Sequence, residues 1–491
     1  MKFYAFGGCA LAGEGGAFRR VYGDNTRIID LSMQIYRQII QSMPEFKELK
    51  ANIKSKSPVT VTGLSEVARA MFYYALGGGL IVTADENAAK RICGDINAME
   101  PEAAVLFPAK DIMPADSMSR DYEFMRLAAL SKFHSGGCGF LVAPVHAVMQ
   151  YTVSPKTLKS KTLKFKVGDE VTEFPKLLSG LGYTRSATVE GRSQFAVRGS
   201  IVDIYPVGAV SDVRTGAVRI ELWGDYIDSI SALDTVTQRR LDKQLELSVI
   251  PAAETDESTL FEHISPVFAD DFERLRKIAK GISLQHNEDV EFLLESRHRE
   301  NRKDSWKNNL KNNWMLLDFD TVAEKISVRA QAMPRDMSEG ISEPPCSYTV
   351  SASGISSDAA PVKFNGNVRA LTGDLKRYKK DGFCVIVSAG NAKTLPILAD
   401  DLEAEGVTAQ KLAGTSKIHA GTVYLTDGQF SDSAAVGNVI VIAGERLNPV
   451  QKKKKNPYKS YKGAKIGSLE DLTEGDLIVH ERYGIGRFIG I

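Results

Sequence analysis

The sequence of 491 residues has almost no net charge. Its 62 Lys and Arg stand against 61 Asp and Glu, so no global attraction draws it to nucleic acid or to an anionic membrane, and any such contact must be local. It is also poor in cysteine. Cys9, Cys93, Cys138, Cys346 and Cys384 are odd in number, far apart and without a C-x-x-C pair, which argues against a disulfide framework or a zinc site and fits a reducing cytoplasm. No run approaches ~18 apolar residues and no basic-then-apolar leader opens the chain, so neither membrane spanning nor export is supported. Among the seven histidines no two are spaced i, i+4, which leaves metal chemistry without an anchor.

What is present is ordinary soluble composition, 43% hydrophobic and 25% charged. At ~100–200 residues per domain the length predicts three or four units. Up to about residue 150, strands over 79–83, 103–108 and 139–143 alternate with helices over 86–99 and 121–133, the pattern of a parallel sheet with crossover helices. The texture changes over 151–250. Lys156, Lys159, Lys161, Lys164 and Lys166 occur without an acid, and alternating segments at 195–205 and 218–230 mark a β-rich unit inserted in the α/β chain. Residues 251–341 read as polar and helical, with helices over 272–282 and 288–299. The Ser-, Pro- and Gly-rich stretch 342–361 reads as a linker. A second, smaller α/β unit follows over 362–450, with strands at 382–389, 422–426 and 438–444 and a helix at 392–405.

Residues 451–466 hold seven lysines, Lys452, Lys453, Lys454 and Lys455 among them, and no acid. Such a block cannot bury a core. It reads as a solvated tether over 451–468, or as a weak, salt-dependent, sequence-blind contact for nucleic acid. The last segment, 469–491, returns to strand-like alternation.

Candidate chemistry is sparse. Thr60, Gly63, Ser65, Glu66 and Val67 stand where an α/β chain would carry a phosphate loop, but the glycines, the lysine and the magnesium-binding hydroxyl of G-x-x-x-x-G-K-[ST] are missing, and Glu66 would repel a phosphate. Gly77-Gly78-Gly79 precedes a strand and reads as a helix stop. Glu221, Asp225 and Asp228 form a carboxylate trio that suits acid–base work or, around a turn at Gly224, solvated strand ends. In the stretch 191–206, period-2 reasoning puts Phe195 and Val197 on one face and Ala196 and Arg198 on the other. Arg185, Arg192 and Arg198 would then gather near an aromatic, the composition of interface anchors.

Two ordered stretches carry a resemblance. Phe195-Ala196-Val197-Arg198-Gly199-Ser200-Ile201-Val202-Asp203-Ile204-Tyr205-Pro206 and Arg219-Ile220-Glu221-Leu222-Trp223-Gly224-Asp225-Tyr226-Ile227-Asp228-Ser229-Ile230 look like the paired signature of the UvrB-type module. That module is shared by the excision-repair subunit UvrB and the bacterial transcription-repair coupling factors. The degenerate phosphate loop selects the coupling factors, and so does the short path from Phe107 to the helix at Asp121. A third stretch, Gly475 through Gly490, looks like the opening strands of the small barrel with which that family binds RNA polymerase. Val479, His480, Gly484, Ile485, Gly486, Arg487 and Phe488 lie in it.

The resemblance implies a multidomain α/β fold. It would comprise a degenerate phosphate-loop, RecA-like parallel-sheet module, an inserted β-rich α+β domain, a small α/β domain and the start of a small β-barrel. It implies transcription-coupled nucleotide-excision repair: an adaptor in the bacterial cytoplasm that recruits UvrA to stalled RNA polymerase. Polymerase displacement on double-stranded DNA belongs to ATP- and magnesium-dependent translocase modules that this chain lacks, so no catalytic residue and no cofactor is expected here. Arg185, Phe195 and Arg198, with Arg192, fall on the family pattern for the UvrA-binding surface, and Ala196 stands where UvrB has a further arginine. The polymerase β-subunit site would be cut short, the chain reading as a fragment, and the UvrA-binding face would be exposed. The competing expectation is an ATP-dependent helicase subunit like UvrB itself.

Overall fold

The computed structural model describes residues 18–22, 25–29, 31–43, 46, 50, 52–53, 59–110, 120–208, 216–255, 257–298, 316–331, 346–349, 364, 366–412, 417–444, 477–480 and 484–487. Its largest sheet has seven strands, all parallel, in the order Cys346–Thr349, Val59–Thr62, Val328–Gln331, Val267–Asp270, Gly79–Thr83, Phe140–Pro144, Ala104–Leu106. Its interior strands are buried at every position of Val59–Thr62, Gly79–Thr83, Phe140–Pro144 and Val267–Asp270. This is why they read as unbroken apolar runs.

The crossover helices start and stop where the local chemistry dictates. Asp85 accepts the Ala88 N–H at 2.8 Å and opens the helix Glu86–Met99. The helix Glu66–Leu76 ends on Gly77, which takes the left-handed conformation (φ 100°) and donates to the Tyr74 carbonyl. Two residues on, a Cβ at Gly79 would lie 2.3 Å from the Pro266 carbonyl oxygen, so the glycine run is a helix stop followed by a close strand contact.

The structure departs from the sequence reading in four places. The strand expected over 103–108 is confined to Ala104–Leu106. The helices expected over 272–282 and 288–299 are one continuous helix, Phe272–His298. The stretch 251–341 also contributes two strands, Val267–Asp270 and Val328–Gln331, to the middle of the sheet. Four-residue strands are too short to show a period. Cys346–Thr349, inside the stretch read as a linker, is paired in parallel with Val59–Thr62 at the sheet edge.

Between Phe140–Pro144 and Val267–Asp270 the chain leaves the large sheet and builds the inserted unit. Six strands run in the order Arg240–Gln244, Tyr226–Leu233, Ala217–Trp223, Ile201–Ile204, Gln194–Arg198, Thr184–Arg185. All are antiparallel except the last pair. A second, two-stranded ladder pairs Leu163–Lys166 with Glu246–Val249.

The two ends of the insertion meet at one side chain. Arg126, on the helix Asp121–His134, is fully buried, and its Nε donates to both carboxylate oxygens of Glu254, at 2.9 and 3.0 Å. It also donates to the carbonyls of Pro108 and Tyr151 and to Gln150 Oε1, and it lies 4.2 Å from the centre of the Phe107 ring.

The second α/β unit has five strands in the order Ala409–Lys411, Val423–Thr426, Cys384–Ser388, Val439–Ile442, Ala434–Val436, the last antiparallel. It shares a core with the first unit, the rings of Tyr36 and Phe430 lying 5.9 Å apart. Asp95, on the helix Glu86–Met99, accepts the Ser431 N–H (2.6 Å) and hydroxyl (2.7 Å) across that contact. Two hairpins are described elsewhere: Phe18–Tyr22 with Asn25–Ile29, and Leu477–His480 with Gly484–Arg487. No described helix is long and apolar enough to cross a membrane.

Two predictions follow from these junctions. Replacing Arg126 by Met leaves the buried Glu254 carboxylate with only the Thr152 hydroxyl and a longer contact to Lys110 at 3.7 Å and should cost about 3–5 kcal/mol in urea unfolding, whereas the double replacement of Arg126 and Glu254 by Met should recover more than half of that loss. The second concerns pH. Burial pushes the Asp95 carboxyl up to about 6, against the opposing pull of the Ser431 bonds. The folded chain therefore holds a proton at Asp95 that the unfolded chain releases between about pH 4 and pH 6, so this group's contribution to stability declines as pH rises through that window. Asp95→Asn removes the dependence. Its stability relative to the parent should grow by about 2–3 kcal/mol between pH 4 and pH 7, read from urea unfolding at each pH.

Candidate functional site

The strand-to-helix turn at 60–67 is built from the residues expected there. Val59–Thr62 leads through Gly63 (φ 87°) and a buried Leu64 to Ser65, which caps the helix Glu66–Leu76 without a side-chain hydrogen bond. Thr60 and Val67 are buried. Glu66 sits in the first turn, where an anion would otherwise be attracted, and receives both arms of the Arg91 fork at 2.9 and 3.1 Å. Behind the turn, Arg69 donates to the Leu64 carbonyl at 3.0 Å and pairs with Asp270 at 2.5 Å. Every charge near the turn is answered from within the chain. Among the described residues no group of three or more His, Cys, Asp or Glu is placed to hold a metal ion.

The six-stranded sheet of the insertion has two unlike faces. Phe195, Val202, Ile204, Ile220 and Ile230 point into the core shared with the large sheet. The opposite face carries a small apolar cluster of Val189, Ala196, Tyr205, Ala217 and Leu233 at one end and charges at the other. Cross-strand register puts Ala196, Asp203, Arg219 and Ser231 in one row and Arg198, Ile201, Glu221 and Ser229 in the next.

Asp203 is the hub of this face. Its side chain is fully buried, and Arg219 grips both its oxygens, Nε on Oδ1 at 2.6 Å and Nη2 on Oδ2 at 2.8 Å. The bond to that carboxylate holds the Arg219 guanidinium above its ordinary range. Arg198 reaches the same carboxylate with a single nitrogen, Nη2 on Oδ2 at 2.5 Å, while 45% of its side chain stays exposed. One rung on, Arg240 pairs with Glu221 at 2.7 Å, and Glu221 also accepts the Ser229 hydroxyl. The trio Glu221, Asp225 and Asp228 therefore forms no joint acid–base site around Glu221, whose carboxylate is committed to Arg240 and Ser229.

The four residues predicted to contact a partner are not brought together. Arg198 is exposed on the charged face and Arg192 is half-buried in the turn before it. Arg185 is exposed on the edge strand, but its register partner is Phe195, which places it on the opposite side of the sheet from Arg198. Phe195 itself has no exposed surface and belongs to the core, which corrects its assignment as a contact residue: in this fold it supports the sheet from behind. Sequence reasoning missed Arg219, Glu221 and Arg240 as members of the face. Strand alternation from Ala217 would have found the first two. Val479, His480, Gly484, Ile485, Gly486 and Arg487 lie on the terminal hairpin, and Phe488, Lys452, Lys453, Lys454 and Lys455 fall outside the described residues.

Comparison with known proteins fits this division. Residues 163–254 match the family model for the UvrB interaction domain. The inserted unit is thus similar to a UvrB interaction domain. Over most of its length the chain is similar to transcription-repair-coupling factors: 22% identical over 496 residues to that of Bacillus subtilis (strain 168), covering 88% of this chain and 42% of the relative. It is likewise 22% identical over 545 residues to the coupling factor of Staphylococcus haemolyticus, covering 93% and 44%. The chain spans less than half the length of these relatives. Both stretches that carried the resemblance, at 195–206 and 219–230, fall inside the UvrB interaction domain.

The two arginines on Asp203 should separate in a stability measurement. Arg219→Ala removes a two-point grip on a buried carboxylate and should cost about 2–4 kcal/mol, whereas Arg198→Ala leaves that grip intact and should cost under about 1 kcal/mol. Chemical unfolding of the two variants reads the difference.

Proposed function

We propose that this chain is the adaptor region of a transcription-repair coupling factor, whose UvrB interaction domain recruits UvrA to RNA polymerase stalled at a lesion in transcription-coupled nucleotide-excision repair. The observation that carries this reading is a charged sheet face in which the buried Asp203 and the half-buried Arg219 support the exposed Arg198 and the Arg240–Glu221 pair, within a stretch matched as an interaction domain. Arginines held by carboxylates in fixed geometry are fitted to directional pairing with a partner's acids. Exposure of Arg198 fits an accessible face.

The turn at 60–67 supports a non-catalytic role. It keeps the strand–turn–helix path of a phosphate loop but places the Glu66 carboxylate, locked by Arg91, where a phosphate would need a cation. On this reading the large sheet is a RecA-like module that has lost its nucleotide, and ATP-driven displacement of polymerase on double-stranded DNA rests with further modules of the family. The antiparallel pair Leu477–His480 and Gly484–Arg487 fits the opening hairpin of the polymerase-binding barrel, reached through the lysine-rich tether.

Co-purification tests the docking site. Purified UvrA should be retained by the full 491-residue chain, lost with Arg198→Glu and weakened with Arg198→Gln, with circular dichroism confirming that both variants fold. Undiminished retention by both folded variants would remove Arg198 from the site.

A further inference from the structure

The insertion concentrates the apolar surface of this protein. Of the ten large hydrophobic side chains that stand exposed among the described residues, seven lie between residues 163 and 254, a minor part of the chain. The two aromatic ones among these seven are at one hairpin. The strands Ala217–Trp223 and Tyr226–Leu233 are joined by Gly224 and Asp225, with Gly224 in the left-handed region (φ 62°) that a tight turn requires. Trp223 and Tyr226 face each other across the last rung, and they are 81% and 53% exposed.

This tip is held rigidly from behind. The N–H of Val171 donates to the Asp225 carbonyl at 2.8 Å, that of Ile227 to Asp169 at 2.9 Å and that of Gly168 to Ile227 at 2.8 Å. The same bracing loop brings further apolar surface alongside. Val167, 44% exposed, donates its N–H to the carbonyl of Leu245, which is 84% exposed. A tryptophan fixed in water on a braced hairpin loses little further freedom on binding, and its whole ring is available for burial.

Position decides what it meets. Alternation along Ala217–Trp223 puts Trp223 on the same face as Arg219 and Glu221. The Leu222 N–H donates to the Ser200 carbonyl at 2.8 Å, so the turn that follows Arg198 lies beside the tip. The cations and the aromatic form one continuous stripe. Tryptophan, tyrosine and arginine together are the side chains that most often dominate a protein interface, the aromatic seated centrally and the charges around it.

The geometry points to the Trp223–Tyr226 tip as the apolar anchor of the UvrA contact: Trp223 enters an apolar socket on UvrA, and Arg198 and Arg240 meet carboxylates at the socket's rim. This inference rests on the UvrA docking proposed above and adds to it the part of the surface that supplies most of the affinity. No residue of the tip takes part in the Asp203 network, so its removal leaves that network in place.

Surface-immobilised full chain titrated with purified UvrA tests it. Trp223→Ala should raise Kd about 30-fold or more, Tyr226→Ala by less, and Trp223→Phe should restore part of the affinity. The thermal midpoint of Trp223→Ala should stay that of the parent, because its ring is already in water. Parent-like affinity in Trp223→Ala, alongside loss of binding in Arg198→Glu, would overturn the anchor and leave the adaptor reading standing. A parent chain that does not bind UvrA would overturn both. Loss of single-stranded DNA binding in Trp223→Ala, with UvrA affinity unchanged, would make the tip a base-stacking platform and overturn the anchor.

Discussion

The guanidinium of Arg126 is the point on which the architecture turns. It has no contact with water, so its N–H groups must be answered by protein, and the answers come from three separate places: the segment after the strand Ala104–Leu106 through Pro108, the start of the insertion through Gln150 and Tyr151, and the return of the insertion through Glu254. A buried ion pair of this kind is weak evidence for net stability, because desolvation offsets most of the attraction. Its worth is geometric. The planar guanidinium accepts only one arrangement of its acceptors, so both ends of the insertion are fixed against the helix Asp121–His134 and against each other. An insertion clamped in this way has little freedom to swing, and a face it carries keeps its orientation relative to the large sheet.

Other buried carboxylates join the units, and their partners decide their character. Asp203 and Asp270 are met by guanidinium groups, Arg219 and Arg69, although burial still pushes the Asp270 carboxyl up. Asp95 is met only by the hydroxyl and amide of Ser431 among its bonds. Neutral donors compensate a buried charge less completely than a cation does, and the Asp95 carboxyl accordingly rises to about 6. The contact between the two α/β units therefore answers to mild changes of pH through Asp95.

How much of this was legible in the sequence depended on whether a residue's surroundings are local. The strand Gly79–Thr83 and the helix Glu86–Met99 were readable from a bounded apolar run, a glycine stop and an Asp85 cap, all within a few residues. The strand Cys346–Thr349 was not, because an edge strand set among Ser and Pro needs only a free neighbour, and that neighbour is some 290 residues earlier in the chain. The arginines at positions 69 and 126 carry no local mark of burial; helix periodicity treats them as surface, and only tertiary partners bring them inside. At the candidate site, alternation separated Phe195 from Arg198 correctly but could not say which face the rest of the protein covers. Phe195 was therefore assigned to a surface it does not reach, and Arg185 was grouped with residues on the other side of the sheet. Trp223 was visible in the motif, yet only the finished hairpin shows that its ring has nothing to pack against.

The division of labour on Asp203 explains how a face can be both preformed and available. A carboxylate offers two oxygens, and Arg219 occupies both with its fork, so the buried charge is compensated before Arg198 is considered. Arg198 then shares one oxygen through one nitrogen and keeps its other donors toward solvent, with nearly half its side chain exposed. Swinging Arg198 toward an acid on a partner would forfeit one shared hydrogen bond and leave no buried group unanswered, whereas moving Arg219 would expose the hub. The same sheet face thus contains one arginine that holds the fold and, one row on, another that can be offered outward. The neighbouring pair of Arg240 and Glu221 repeats the arrangement closer to the surface, and the row ends at the bare ring of Trp223, where no charge has to be given up at all.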